Sequence, residues 1–177
     1  MKYYAVQVHC SAEIPYMEHL KKRLSGTTCS QEIIFPRRCL KIRKKGKIVD
    51  DIKPIFPGYV FIRVEDSLTY DQFCLMKSVK GFYKFLDSNQ NIRPLHDHDL
   101  KILEHFLVFG EIAGPSKVFF NEQNKIVVTA GPLKGMEGSI IKIDRRKRRA
   151  KVELDFGNNK IRCDLSFEMM KKDSIHE

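Results

Sequence analysis

The chain has 177 residues, 42% of them hydrophobic, and its 32 Lys and Arg outweigh 22 Asp and Glu to give a net charge of +10. That length suffices for one large or two small packed domains; no apolar run is long enough to span a bilayer, and the opening MKYYAVQVHCSAEIPY lacks the apolar centre and cleavage site of a secretory signal. A globular cytoplasmic protein with a polyanionic partner is expected, since a positive surface concentrates nucleic acid.

In chain order, residues 2–9 (KYYAVQVH) alternate β-branched and aromatic types and predict a strand. SAEIPYMEHLKKRLSG predicts an amphipathic helix, with Ser11 as N-cap, Pro15 in the first turn, Lys21, Lys22 and Arg23 at the negative end of the dipole, and Gly26 beyond it. CLKIRKKGKIVDDIKPIF predicts a hairpin with its tip at Lys44–Lys47, and GYVFIRV a strand with Tyr59, Phe61 and Arg63 on one face. A second helix is expected from Ser67 to about Val79, a strand in GFYKFL, and a third helix in HDHDLKILEHFLVFG, closed at Gly110. This mixture lacks βαβ repetition and indicates an α+β domain over residues 1–110. Residues 111–124 have no clear period and are rich in turn formers, so they are expected to be a linker in which Val118, Phe119 and Phe120 dock. From residue 125 to 177, short strands separated by turns indicate a small β-barrel.

Most chemistry-bearing motifs admit a plain structural account. GPLKGMEGS lacks the phosphate-loop spacing and precedes a strand, so Gly131, Gly135 and Gly138 are expected at turns and barrel corners. His96, Asp97, His98 and Asp99 open a helix, where capping explains them better than metal binding. Five cysteines (Cys10, Cys29, Cys39, Cys74 and Cys163) are odd in number and never form C-x-x-C, which argues against a disulfide framework or zinc site. No nucleophile has a recognisable base and orienting group, so no enzyme, cofactor or metal is expected. The Pro-Gly bend in PIFPGYVFIRV sets Phe56 and Tyr59 at the start of a strand, as core rings or as an aromatic surface.

The block KIDRRKRRAKVEL is different. If Ile141 and Ile143 face the core, so do Ala150, Val152 and Leu154, and the tip then exposes Arg145, Arg146, Lys147, Arg148 and Arg149, flanked by Lys142 and Lys151. Five successive like charges repel, and an ordinary turn is better served by Asn, Gly or Asp. The tip is either a solvated charged turn or an RNA-binding element, since guanidinium groups both pair with phosphates and stack on unpaired bases. A second basic surface, Arg37, Arg38, Arg43, Lys44, Lys45 and Lys47, is either a DNA contact, upstream or non-template, or a solvated hairpin tip.

YYAVQV, FPGYVFIRV and VVTAGPLKGMEGSIIKID, in that order and spacing, resemble the NusG family of transcription elongation factors over nearly the whole chain. The resemblance implies an N-terminal NGN domain (an antiparallel sheet with flanking helices), a linker, and a C-terminal KOW domain (an SH3-like barrel). It implies a monomer that binds the clamp helices of RNA polymerase, with Tyr3, Tyr4, Phe56 and Tyr59 at the family's aromatic positions. GPLKGMEG followed by KIDRRKRRAKVEL looks most like the LoaP-type antiterminators, whose KOW domain binds RNA hairpins. In general factors that domain contacts ribosomal protein S10 or Rho; Leu133 and Met136, standing where those factors tend to carry Phe, disfavour Rho and leave S10 open. An RfaH-like helical refolding of the KOW domain is disfavoured by KIVVT and the turn glycines. The expected function is suppression of pausing or termination.

Overall fold

The computed structural model describes residues 1–9, 11–25 and 31–170; Cys10, Gly26 and Cys29, and the end of the expected second domain, lie outside the described residues. The elements are β1 (Lys2–Val8), α1 (Glu13–Leu24), β2 (Gln31–Ile34), β3 (Arg37–Lys44), β4 (Lys47–Pro54), β5 (Tyr59–Val64), α2 (Tyr70–Ser78) and β6 (Phe82–Phe85). They continue with α3 (Asp97–Leu107), β7 (Ile112–Ala113), β8 (Ser116–Phe120), β9 (Ile126–Ala130), β10 (Ile140–Asp144), β11 (Arg149–Phe156) and β12 (Asn159–Met169). Two compact units result, one from residues 1–35 and 56–101, the other from residues 36–55 and 102 onward.

In the first unit β2-β5-β1-β6 form an antiparallel sheet. Alternation decides its faces. Tyr4, Val6 and Val8 of β1 and Val60, Ile62 and Val64 of β5 enter one core with Tyr16 and Leu20 of α1 and Met76 of α2. Each such side chain contributes roughly 1.5–3 kcal/mol on burial. Ser11 does not cap α1: it sits at φ 65°, the N-cap is Ala12, and no side chain bonds there. The second helix starts later than expected because Thr69 and Gln72 form a reciprocal capping box.

The second unit contains the five-stranded sheet β10-β11-β12-β8-β9 and the three-stranded sheet β4-β3-β7. The former is the C-terminal β-sheet where the sequence predicted a small barrel. Residues 116–120, within the segment expected to be a linker, instead form β8, pairing parallel to β12 and antiparallel to β9. The β-branched and aromatic run Val118-Phe119-Phe120 pairs locally with β9 but meets β12 only through the long-range fold, and Val118 is fully buried. The core face of β11 is Ala150, Val152, Leu154 and Phe156. Ile141 points outward, contrary to expectation, because a register shift between Ile140 and Lys142 changes the alternation. Among the described residues no helix is long and apolar enough to cross a membrane.

Candidate nucleic-acid interface

Asp144 and Arg149 are paired across the β10–β11 ladder and close a tip of Arg145, Arg146, Lys147 and Arg148. The Arg148 N–H donates to the Arg145 carbonyl at 3.2 Å. The Asp144 carboxylate accepts from the Lys147 N–H, three residues on, at 2.9 Å and so helps to fix the bend. Arg148 completes it in the left-handed region, at φ 51°.

The basic side chains then divide by environment. Arg145 sits over the Phe120 ring at 3.8 Å from its centre and donates to the Asn124 carbonyl at 2.9 Å. Arg149 is half-buried beside Asp164, 3.5 Å away. Lys147 reaches Asp144 at 4.0 Å. Lys142, Arg146, Arg148 and Lys151 are exposed and make no ion pair among the described residues. Lys142 and Lys151 are moreover directly opposed on adjacent strands, an arrangement of like charges that disfavours the sheet unless an anion lies over it. At the other end of β11 and β12, Lys160 and Arg162 are both paired with Glu153 at 2.8 Å, and these bonds, that from Lys160 foremost, hold the Glu153 carboxyl below its usual range.

The second basic set separates into an engaged base and a free tip. Arg37 is ion-paired with Glu111. Arg38 is half-buried near Cys163, Asp164 and Asp51, and burial lowers its guanidinium below the ordinary arginine value. Beside it, the Ser166 hydroxyl donates to the Cys39 carbonyl at 2.8 Å. Arg43, Lys44, Lys45 and Lys47 are exposed around a tight turn with Lys45 at φ 49° and Gly46 at φ 79°.

In the first unit the four aromatic positions do not share a face. Tyr4 points into the helix-covered core, whereas Tyr3, Tyr59 and Phe61 alternate onto the opposite face, where Phe56 meets Phe61 edge-on at 5.2 Å. Phe56 and Tyr59 are 1% and 4% exposed, and Tyr3 is half-buried. Tyr3 hydrogen-bonds Arg63, which with the Glu32 pairing raises that guanidinium above its usual value. The Phe56–Tyr59 bend has Gly58 at φ 81° and the Tyr59 N–H bonded to the Phe56 carbonyl at 3.2 Å. It is locked from both sides: the Val8 N–H donates to the Gly58 carbonyl at 2.8 Å, and the Gly58 N–H donates to the buried Glu13 carboxylate at 2.7 Å.

Glu13, Asn124 and Ser116 carry the positioning and were not singled out from the sequence, their roles depending on partners from 17 to 45 residues away; Phe120, expected only to dock, in addition carries the Arg145 guanidinium. The glycine-rich loop is architecture: the Leu133 N–H donates to the buried Ser116 hydroxyl at 2.9 Å, and Gly131 lies against Ser116. His96 pairs with Asp97 at 3.0 Å on the surface. No three His, Cys, Asp or Glu side chains among the described residues are grouped to hold a metal.

Residues 1–104 match the family model described as "Transcription termination factor nusG". The chain is 24% identical over 174 residues to the transcription termination/antitermination protein NusG of Rickettsia felis, covering 97% of this chain and 90% of that one. It is 26% identical over 170 residues to the Helicobacter pylori protein of the same name, covering 90% and 92% respectively. A solved structure described as "Domain interaction in Thermotoga maritima NusG" superimposes with a TM-score of 0.55 at 17% identity, covering 93% of each chain, a likeness of fold. The chain therefore belongs to the NusG family of non-enzymatic transcription factors, which act with RNA polymerase.

Proposed function

We propose that this protein is a transcription antitermination and elongation factor that binds RNA polymerase through residues 1–110, acting as its NGN domain, and a nascent RNA hairpin through residues 125–177, acting as its KOW domain. The observation that carries the RNA contact is the array of exposed cations that have no ion-pair partner among the described residues, Lys142, Arg146, Arg148 and Lys151, around one hairpin tip. Polymerase binding uses the sheet face of Tyr3, Phe56 and Tyr59, with Tyr4 supporting it from the core. An aromatic-lined face suits the apolar side of a helical tip such as the clamp helices.

Bridging the clamp favours the elongating conformation by differential binding, and a simultaneous RNA contact raises the factor's local concentration at selected transcripts. The exposed tip of the β3–β4 hairpin, Arg43, Lys44, Lys45 and Lys47, supplies a smaller positive surface for non-template DNA. Transcription through a terminator in vitro, with and without a leader RNA hairpin upstream, tests this function. Read-through that rises only on the leader-bearing template is expected; unchanged read-through on both templates refutes it. The relatives' name, termination/antitermination protein, supports a second reading, a general factor whose KOW domain binds ribosomal protein S10 or Rho. Read-through independent of the leader favours that one.

A further inference from the structure

The turn that carries the basic block does not present its arginines equivalently. A guanidinium group is planar, with in-plane N–H donors and two faces. In Arg145 one face rests on Phe120, 3.8 Å from the ring centre. Its in-plane donors are directed to Asn124, at 2.9 Å to the backbone carbonyl and 3.5 Å to the side-chain oxygen. Phe120 is itself braced edge-on by Phe167 at 6.2 Å, and Phe167 is 1% exposed. Two turns of the second unit, Asn121–Lys125 and Asp144–Arg149, are thus tied through this one side chain, which nevertheless stays exposed. Forks already turned to Asn124 are poorly placed to clamp a phosphate, and the group's outward face is what remains available.

We propose that Arg145 is a base-stacking residue: its outer face, backed by Phe120, receives one unpaired nucleobase of a bound RNA, while Arg146, Lys147 and Arg148 with Lys142 and Lys151 contact phosphates. This rests on the RNA-binding function proposed above and adds to it the part of the RNA that is recognised. Every base has a π face, so a stacking site of this kind distinguishes an unpaired loop or bulge from continuous duplex without reading its sequence. The aromatic backing matters because the ring keeps the guanidinium plane fixed before RNA arrives, which lowers the ordering cost of stacking.

The test uses the full chain and two probes with the same stem: a stem-loop RNA carrying 2-aminopurine in an adenine-rich loop, and that stem as a blunt duplex. Arg145→Lys keeps the charge and the apolar stem but has no planar face. It is expected to bind the stem-loop about tenfold more weakly, equivalent to about 1.4 kcal/mol, to leave duplex affinity and the salt slope unchanged, and to lose the stacking quench of the 2-aminopurine. Phe120→Leu is expected to change the same readouts in the same direction. Arg146→Gln/Arg148→Gln is expected instead to weaken both probes and flatten the salt dependence. Equal losses on both probes for Arg145→Lys, or a flattened slope, identify a phosphate contact and overturn the assignment. If the unsubstituted protein binds neither probe, the RNA-binding function itself fails, an outcome distinct from loss of loop preference alone.

Discussion

Gly131→Ala should damage the second unit in a way that separates sterics from backbone strain. A Cβ at Gly131 would lie 2.6 Å from the Ser116 Cα and 3.0 Å from its Oγ, at a backbone φ of 94°. The left-handed conformation costs a non-glycine residue about 1–2 kcal/mol, and forcing a methyl group into a packed site adds about 1–3 kcal/mol. Ser116 has little freedom to retreat: it is fully buried, its hydroxyl accepts the Leu133 N–H, and its strand β8 lies between β12 and β9. The expected loss is therefore about 2–5 kcal/mol. Gly135→Ala is the matched control, because Gly135 has a similar φ of 82° and no atom within 4 Å of the built Cβ; it should cost only the backbone part, about 1–2 kcal/mol. Native-state hydrogen exchange at the Phe167 and Met170 amides, which bond the Arg148 and Val118 carbonyls, reports the opening free energy of this unit. Equal effects of the two substitutions would refute the steric account of the loop.

Glu13→Ala leaves the buried Gly58 N–H without its acceptor and should cost about 1–3 kcal/mol, whereas Glu13→Gln keeps an acceptor and should cost less; matching thermal shifts for the two would remove Glu13 as the lock of the aromatic bend. Burial pushes the Cys163 thiol up to about 11 from 9.0. The folded state then holds this proton longer than the unfolded chain, so its contribution is full below pH 9 and is lost as pH rises through 11. The loss approaches about 3 kcal/mol, and urea midpoints that fall with pH equally in the wild type and in Cys163→Ala would contradict it. Arg148→Gly relieves the left-handed strain at φ 51° and should stabilise the hairpin by up to about 1 kcal/mol while reducing the slope of log RNA affinity against log salt by about 0.7; an unchanged slope would show that Arg148 touches no phosphate.

The first unit was legible because its signals are local. Alternation in YVFIRV assigned the two faces of β5, KYYAVQV marked β1 as a strand without separating Tyr3 from Tyr4, and the Pro-Gly pair marked the bend before β5. The capping of α1 was not, since Ser11 is drawn into a left-handed turn and the first-turn carboxylate of Glu13 serves a distant amide instead of its own helix. In the second unit the basic tip was evident from charge alone, but its internal division was not. Arg145 and Arg149 carry the same side chain in the same run, yet one lies on Phe120 from the β8 side and the other beside Asp164 of β12. Similarly, Arg37 and Arg38 read as part of a continuous basic hairpin until Glu111 and Asp164, more than 70 residues later, occupy its base. Nothing local marked the bulge that turns Ile141 outward, because an apolar pair such as Ile140-Ile141 fits either register.

Turn chemistry within this single chain strengthens the functional meaning of the two exposed tips. The β8–β9 and β11–β12 turns place asparagine in the left-handed position, Asn124 at φ 58° and Asn158 at φ 60°, and the latter follows a glycine. Those are the residues that tolerate such backbone with least strain. In the β3–β4 and β10–β11 hairpins left-handed positions are instead taken by Lys45 at φ 49° and Arg148 at φ 51°. Each adds a positive charge to a cluster that already repels itself, so both conformational and electrostatic terms oppose the residue found. A turn needed only to reverse the chain gains nothing from either substitution. A polyanion bound over the tip reverses the electrostatic term and offsets the backbone strain. The same two positions are therefore where stability and nucleic-acid affinity should move in opposite directions on replacement by glycine, a coupling that solvated surface charges without a ligand have no reason to show.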